Sequence, residues 1–276
     1  MTDSMTESVT GPVTGPATGA ITGREAGMLR DVVSVAGRAL RQIPREPASV
    51  LPAVFVPAFF YAVNLGALEK FARGQFDYKA FLLPMAIAFA VTGMSRAPTL
   101  VTDIQSGYFD RLCMTPIRRP ALLLGLMAAD VVVIVALCVP VLAIGFGVGV
   151  HFASGVGGVL AFVGFSAVWG LVFTGFPYAV ALKTGSPAAV NATFVIFFPL
   201  FFLSDAVVPK QALTGWMSRI ATYNPVTYLL GALRSLITTG WRVTSLAEGV
   251  AALGGIGVLS LGLALGALRG RVLRGG

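Results

Sequence analysis

The sequence predicts an all-α, polytopic membrane protein with six transmembrane helices, and three observations predict it. Hydrophobic residues fill 56% of the 276 positions and charged residues only 12%, against roughly a quarter charged in soluble domains. Mean hydropathy is +0.83, so the chain cannot keep its surface in water. The apolar residues gather into segments of about twenty or more, the length a helix needs to cross a bilayer. Within them the apolar character is continuous and does not alternate, which fits helices and excludes an outer-membrane barrel.

Residues 1–23 repeat a short unit, "TGPVTGPATGAITG", without core-forming side chains; they read as a disordered tail. No basic region is followed there by an apolar one, so the tail is not a signal peptide. Residues 24–276 read as one transmembrane domain. It opens with an amphipathic basic segment, 24–46, in which Leu29, Val32, Val33, Ala36, Leu40 and Ile43 share a face opposite Arg30, Arg38, Arg41 and Arg45. Such a helix suits the face of an anionic membrane; a helix packed in the cytosol is the alternative. Spans follow at about 48–68, 80–101, 121–149, 157–182, 187–204 and 245–268. Their loops are short except at 103–120 and 205–244.

Net charge is +8. The basic residues flank apolar segments, so they read as topology signals and not as a nucleic-acid surface. With the N-terminus inside, 13 of the 20 Lys and Arg fall on cytoplasmic segments. The positive-inside rule then places both termini and the 103–120 loop in the cytoplasm of a multi-pass plasma-membrane protein, and 205–244 outside.

The 205–244 segment holds two short amphipathic runs broken at Asn224–Pro225, where proline disfavours helix before it and can start one after it. Neither run is long enough to span. Two helices dipping into the outer leaflet are expected, with Trp216, Tyr223, Tyr228 and Trp241 at interface depth.

Chemistry is sparse. No glycine-rich phosphate loop of the G-x-x-x-x-G-K-[ST] kind occurs, so the chain carries no ATP site of its own. Two cysteines, Cys113 and Cys138, and one histidine, His151, make no metal site. Asp130 lies about nine residues into the third span. An ionisable group there is costly, so it either pairs with Arg118, Arg119 or the N-terminal helix, or takes part in transport. Gly145 and Gly149, and Gly262, Gly266 and Gly270, have the spacing that permits close helix approach.

The stretch "DIQSGYFDRLCMTPIRRP", residues 103–120, stands out between two oily spans. It reads as a short helix from about 103 to 114 with Phe109, Leu112 and Cys113 on one face and Asp103, Asp110 and Arg111 around the rest, ended at Thr115–Pro116. A helix held at the cytosolic face is a handle for a partner. Gly107, Asp110, Arg111, Leu112, Thr115 and Pro116 resemble the G-T-L-E-R-L-x-x-T-P signature of ABC-2 type permeases, the membrane subunits of ABC exporters. Residues 207–236, with Pro209, Trp216, Asn224, Pro225, Tyr228 and Arg234, are similar to the family's second signature, V-P-x-x-x-L-P-x-W followed by N-P-x-T-Y and A-L-R. Two departures stand out: Ile104-Gln105-Ser106 replace a charged run, and Asp205 stands where a small residue is usual.

The resemblance implies a function. Two six-span subunits, identical or related, pair around a pathway, and a separate cytosolic ATPase dimer docks beneath them. Asp103, Gly107, Phe109, Asp110, Arg111, Leu112, Thr115 and Pro116 would form the coupling helix that enters the ATPase groove. The external re-entrant helices with Pro209, Trp216, Asn224, Pro225, Tyr228 and Arg234 would form the outer gate. ATP and Mg would reside on the partner, and this chain would bind no cofactor and perform no catalysis. Phe- and Val-rich spans suggest a lipophilic cargo: a drug, an antibiotic or a lipid. An ion-gradient-driven transporter working through Asp130 is the alternative.

Overall fold

The computed structural model describes residues 32–37, 47–72, 76–113 and 119–274. The tail at 1–23, most of the amphipathic segment at 24–46, and Thr115 with Pro116 lie outside them. Among the described residues every regular element is helical. A short α1 (32–37) precedes α2 (Pro47–Ala72), α3 (Tyr78–Thr92), α4 (Ala97–Gln105) and α5 (Tyr108–Cys113). Then come α6 (Arg119–Gly147), α7 (Gly155–Thr184), α8 (Pro187–Phe202), a 3-10 turn at Lys210–Ala212, α9 (Gly215–Tyr223), α10 (Pro225–Thr238) and α11 (Val243–Arg274). Among the described residues, four stretches are long and apolar enough to cross a membrane: Tyr78–Gln105, Ala121–Gly147, Gly155–Thr184 and Val243–Arg271. Pro52–Ala67 and Pro187–Phe202 are shorter apolar helices.

Helix α7 is the axis. It touches α3, α4, α6, α8, α10 and α11, and α11 lies along it most extensively. Gly175 makes that approach possible: a Cβ there would stand 2.8 Å from the Ser260 backbone. In a lipid environment helices associate through packing and interhelical hydrogen bonds, so small residues at the contact decide how close they come. Gly145 plays the same part against Leu83 of α3. Gly262, Gly266 and Gly270 face open space.

The core is divided. One cluster joins α3, α6, α7, α8 and α10 around Trp169, Phe162, Phe197 and Phe201. The other joins α4 and α5 to α6, α7 and α11 around Leu100, Phe109, Met127 and Tyr178. Val35 of α1 belongs to the second cluster and packs beside Gly125 of α6.

The single span expected at 80–101 is interrupted. Helix α3 ends at Thr92, and α4 restarts at Ala97 with Pro98 in its first turn. Proline is tolerated there because it lacks an N–H that a first turn leaves unpaired in any case. Trp169 Nε1 donates to Thr92 Oγ1 at 2.8 Å on one side of the break, and Asp130 holds the other.

Helix α10 is an integral part of the bundle. Its residues Leu229, Leu230, Leu233 and Leu236 are fully buried, and the helix packs on α3, α7 and α11. Tyr228 is half-buried and donates to the Thr222 carbonyl at 2.6 Å. Trp216, Tyr223 and Trp241 are exposed.

Candidate functional site

Three groups of residues carry the candidate function. The first is the 103–113 segment. The continuous helix expected from 103 to 114 is two helices, because Gly107 turns the chain with φ +71, a backbone region that strains side chains other than glycine's. Gln105 Nε2 donates to the Gly185 carbonyl at 2.9 Å, pinning the end of α4 to the α7–α8 turn. Phe109 was expected to anchor a partner protein. It is 4% exposed, packed in the second core cluster beneath the Arg271 guanidinium, 5.9 Å away. It roots α5 in its own bundle. Tyr108 (37%) and Arg111 are exposed on the same short helix. Asp103 is half-exposed on α4, and Asp110 and Leu112 lie on α5.

The second group surrounds Asp130. The pairing expected with Arg118, Arg119 or the N-terminal helix falls on side chains outside the described residues. Asp130 Oδ2 accepts the Tyr178 hydroxyl at 2.7 Å and Oδ1 accepts the Arg96 backbone N–H at 3.2 Å. Asp130 is 2% exposed and Tyr178 fully buried. The carboxylate caps α4 from another helix, supplying the acceptor that Arg96 does not offer with its own side chain. Acceptors at a helix N-terminus satisfy otherwise orphaned N–H groups.

The third group surrounds Arg234. Its Nη1 donates to Asp205 Oδ2 at 2.7 Å, Nη2 to the carbonyls of Asp205 (2.8 Å) and Ala206 (3.1 Å), and Nε to the Phe81 carbonyl (3.1 Å). The guanidinium also lies 3.6 Å from the Phe81 ring centre. A planar fork of five donors is suited to this multiple capture. Burial pushes the Asp205 carboxyl above the usual carboxylate range, opposed by the Arg234 charge. Tyr78 donates to the Val207 carbonyl at 3.2 Å, adding a second tie between α3 and the turn after α8. Asn224 ends α9 and caps α10: its Oδ1 accepts the Val226 N–H at 2.9 Å, and its Nδ2 reaches the Leu200 carbonyl at 2.5 Å. Pro225 is the first residue of α10, and Pro209 precedes the 3-10 turn.

The sequence named Arg234 but not its partner. A lone aspartate at the end of an apolar run was the available signal. His151 is exposed, with Nδ1 2.8 Å from the nearby Gly149 carbonyl.

Described residues that are all helical where regular, with apolar helices of membrane-crossing length, define a polytopic membrane protein. Residues 30–238 match the ABC-2 type transporter family, and the chain belongs to that family. It is 31% identical over 212 residues to the daunorubicin resistance ABC transporter permease protein DrrB1 of Streptomyces coeruleorubidus, covering 72% of each chain. It is 23% identical over 207 residues to the probable doxorubicin resistance ABC transporter permease protein DrrC of Mycobacterium tuberculosis, covering 74% of this chain and 75% of that one. A putative transport permease, ycf38 of Cyanophora paradoxa, is 23% identical over 232 residues.

Proposed function

We propose that this chain is the membrane subunit of an ABC exporter that moves a lipophilic molecule out of the cytoplasm, using ATP hydrolysed by a separate cytosolic subunit. Six spans, both termini in the cytoplasm of the cell membrane, and a second permease subunit complete the reading. The relatives named for daunorubicin and doxorubicin resistance make a polycyclic drug or antibiotic the first cargo to test.

The observation that carries the reading is the construction of α5. Phe109 is sunk in the bundle while Tyr108 and Arg111 face out. A partner gripping the outer face would move Phe109, and with it the cluster on α4, α6 and α7. Gly107 separates this lever from α4 without detaching it, since Gln105 stays bonded to the α7–α8 turn.

Co-expression with a cytosolic ABC ATPase subunit, followed by pull-down and ATPase assay in proteoliposomes, tests the proposal. The expected result is a stable complex whose hydrolysis rises with cargo; the purified chain alone should neither bind nor hydrolyse ATP. The ion-driven alternative rests on Asp130. Both its oxygens are engaged within the chain, which favours a structural part for it.

A further inference from the structure

Arg96 is a cation at membrane depth without a counterion. It stands in the break between α3 and α4, inside the apolar stretch Tyr78–Gln105. Its Nε is buried and bonds nothing, and among the described residues no acid pairs with its guanidinium. Asp130 accepts the Arg96 backbone N–H and leaves the side chain unpaired. A charge in this position is costly unless an opposite charge meets it.

Its depth follows from helix geometry. The 30 residues of α7 measure about 45 Å against a hydrocarbon core of about 30 Å, so each end clears the core by about 7 Å. Helix α4 has nine residues and packs on α7, and its last residue, Gln105, bonds the Gly185 carbonyl just past the end of α7. Arg96 therefore lies about 13 Å in from that end, or about 6 Å below the edge of the hydrocarbon. A long arginine stem carries its head across that distance to the phosphate layer.

Beside the break an apolar cleft of about 240 Å³ opens between α2, α3 and α8. Gly93 and Met94, three and two residues before Arg96, line it together with Phe89, Phe194 and Phe198. Val56 also lines it and is 36% exposed, so the cleft is open on that side. No described residue lining it has a polar side chain. A space walled in this way holds no ordered water and suits an apolar occupant. In a bilayer that occupant is an acyl chain. One molecule answers both the unpaired cation and the apolar cleft next to it: a phospholipid with net negative charge. In a zwitterionic lipid the phosphate is already balanced by its own ammonium. Basic positions between membrane helices hold anionic headgroups in this manner.

We propose that Arg96 and the cleft form a binding site for one anionic phospholipid, with its phosphate on the guanidinium and an acyl chain between the phenyl rings. The lipid sits against Gly93 and Met94, where α3 runs on into α4 and α5, and so braces that junction. The inference goes beyond the exporter reading and does not depend on it.

The test uses the full chain, without any ATPase, in phosphatidylcholine nanodiscs doped with a phosphatidylglycerol that carries a diazirine on one acyl chain. Crosslinks are mapped by peptide mass spectrometry. The expected result is saturable labelling of the α2, α3 and α8 peptides, erased by unlabelled phosphatidylglycerol and not by dioleoylglycerol, which has no phosphate. Arg96→Gln should weaken the saturable component about tenfold, the worth of one charge-assisted hydrogen bond, and Arg96→Lys should keep most of it. Val56→Trp fills the cleft from its exposed rim and should abolish it with Arg96 intact. Helical circular dichroism checks that each variant is folded. Equal labelling of Arg96→Gln and the parent, or equal competition by dioleoylglycerol, overturns the headgroup contact and with it the site. Labelling spread over outward residues of α11 such as Val258 shows ordinary boundary lipid and overturns it as well. Crosslinks joining two copies through α2 or α8, without labelled lipid, assign the cleft to a second copy of the chain instead. Failure to capture an ATPase in the pull-down above bears on the exporter reading alone.

Discussion

Arg234 and Asp205, 29 residues apart in sequence, form a buried ion pair at 2.7 Å, and the same guanidinium holds the backbone of Phe81, Asp205 and Ala206. One side chain thus ties α10 to α3 and to the turn after α8. The pair sits where the family signature supplies the arginine and this chain supplies an unusual acid. An arginine of that motif needs an acceptor once α10 is buried, and the carboxylate meets the need.

Removing one partner leaves the other charge buried. Arg234→Ala and Asp205→Ala should each destabilise the folded chain by about 3–5 kcal/mol. The double variant Arg234→Met with Asp205→Leu should lose less than the two single losses combined. Detergent-denaturation curves of the purified chain measure it; strictly additive losses would show that the two residues do not act as a pair.

Asp130 separates two mechanisms. Asn at this position keeps Oδ1 as acceptor for the Arg96 N–H and offers its Nδ2 as a donor to the Tyr178 hydroxyl oxygen, so Asp130→Asn should retain most transport in the ATP-driven reading. Tyr178→Phe should cost about 1–3 kcal/mol by stranding a buried acceptor. Efflux from inverted vesicles, with ATP or with an imposed proton gradient, decides the matter. Loss of efflux in Asp130→Asn, with gradient-driven transport in the parent, favours the ion-driven alternative.

Phe109 and Arg111, two residues apart on α5, should behave oppositely. Phe109→Ala opens a cavity in the second core cluster and should destabilise the chain by roughly 3–5 kcal/mol. Arg111→Ala leaves stability unchanged and should weaken ATPase capture in a pull-down. Equal capture by Arg111→Ala and the parent would remove this surface from the docking site.

Gly107 adopts φ +71, so Gly107→Ala should cost about 1–2 kcal/mol locally. Asn tolerates this conformation better, and Gly107→Asn should recover part of the coupling lost by the alanine variant. Cargo-stimulated ATPase activity of the reconstituted complex is the readout, with basal activity unchanged.

The charge distribution predicts a topology that reporter fusions can check. Fusions after Gly185 and after Gly276 should report cytoplasm, and a fusion after Thr214 should report the outside. An external signal at Gly276 contradicts six spans.

Local rules made much of this protein legible in one dimension. The length of an apolar run sets whether a helix can cross a bilayer, and that depends on partition of neighbouring side chains alone. The ending of α9 and start of α10 at Asn224–Pro225 follow from the covalent geometry of proline. The two family signatures are likewise read from spacing along the chain. The tertiary structure decided what spacing does not encode. Tyr178 reaches Asp130 from 48 residues away, and Asp205 reaches Arg234 from 29. The sequence shows the acids but not which donor arrives, because that is settled by how separate helices pack. The inward turn of Phe109 is of the same kind. A six-residue helix has no periodicity long enough to declare its buried face, and the end of α11 and the faces of α6 and α7 that receive the ring come from distant segments. The break between α3 and α4 was hidden for a related reason. Residues 93–96 are Gly, Met, Ser and Arg inside a stretch whose average hydropathy still reads as one span, and Trp169 and Asp130, from other helices, bond the chain on either side of the break.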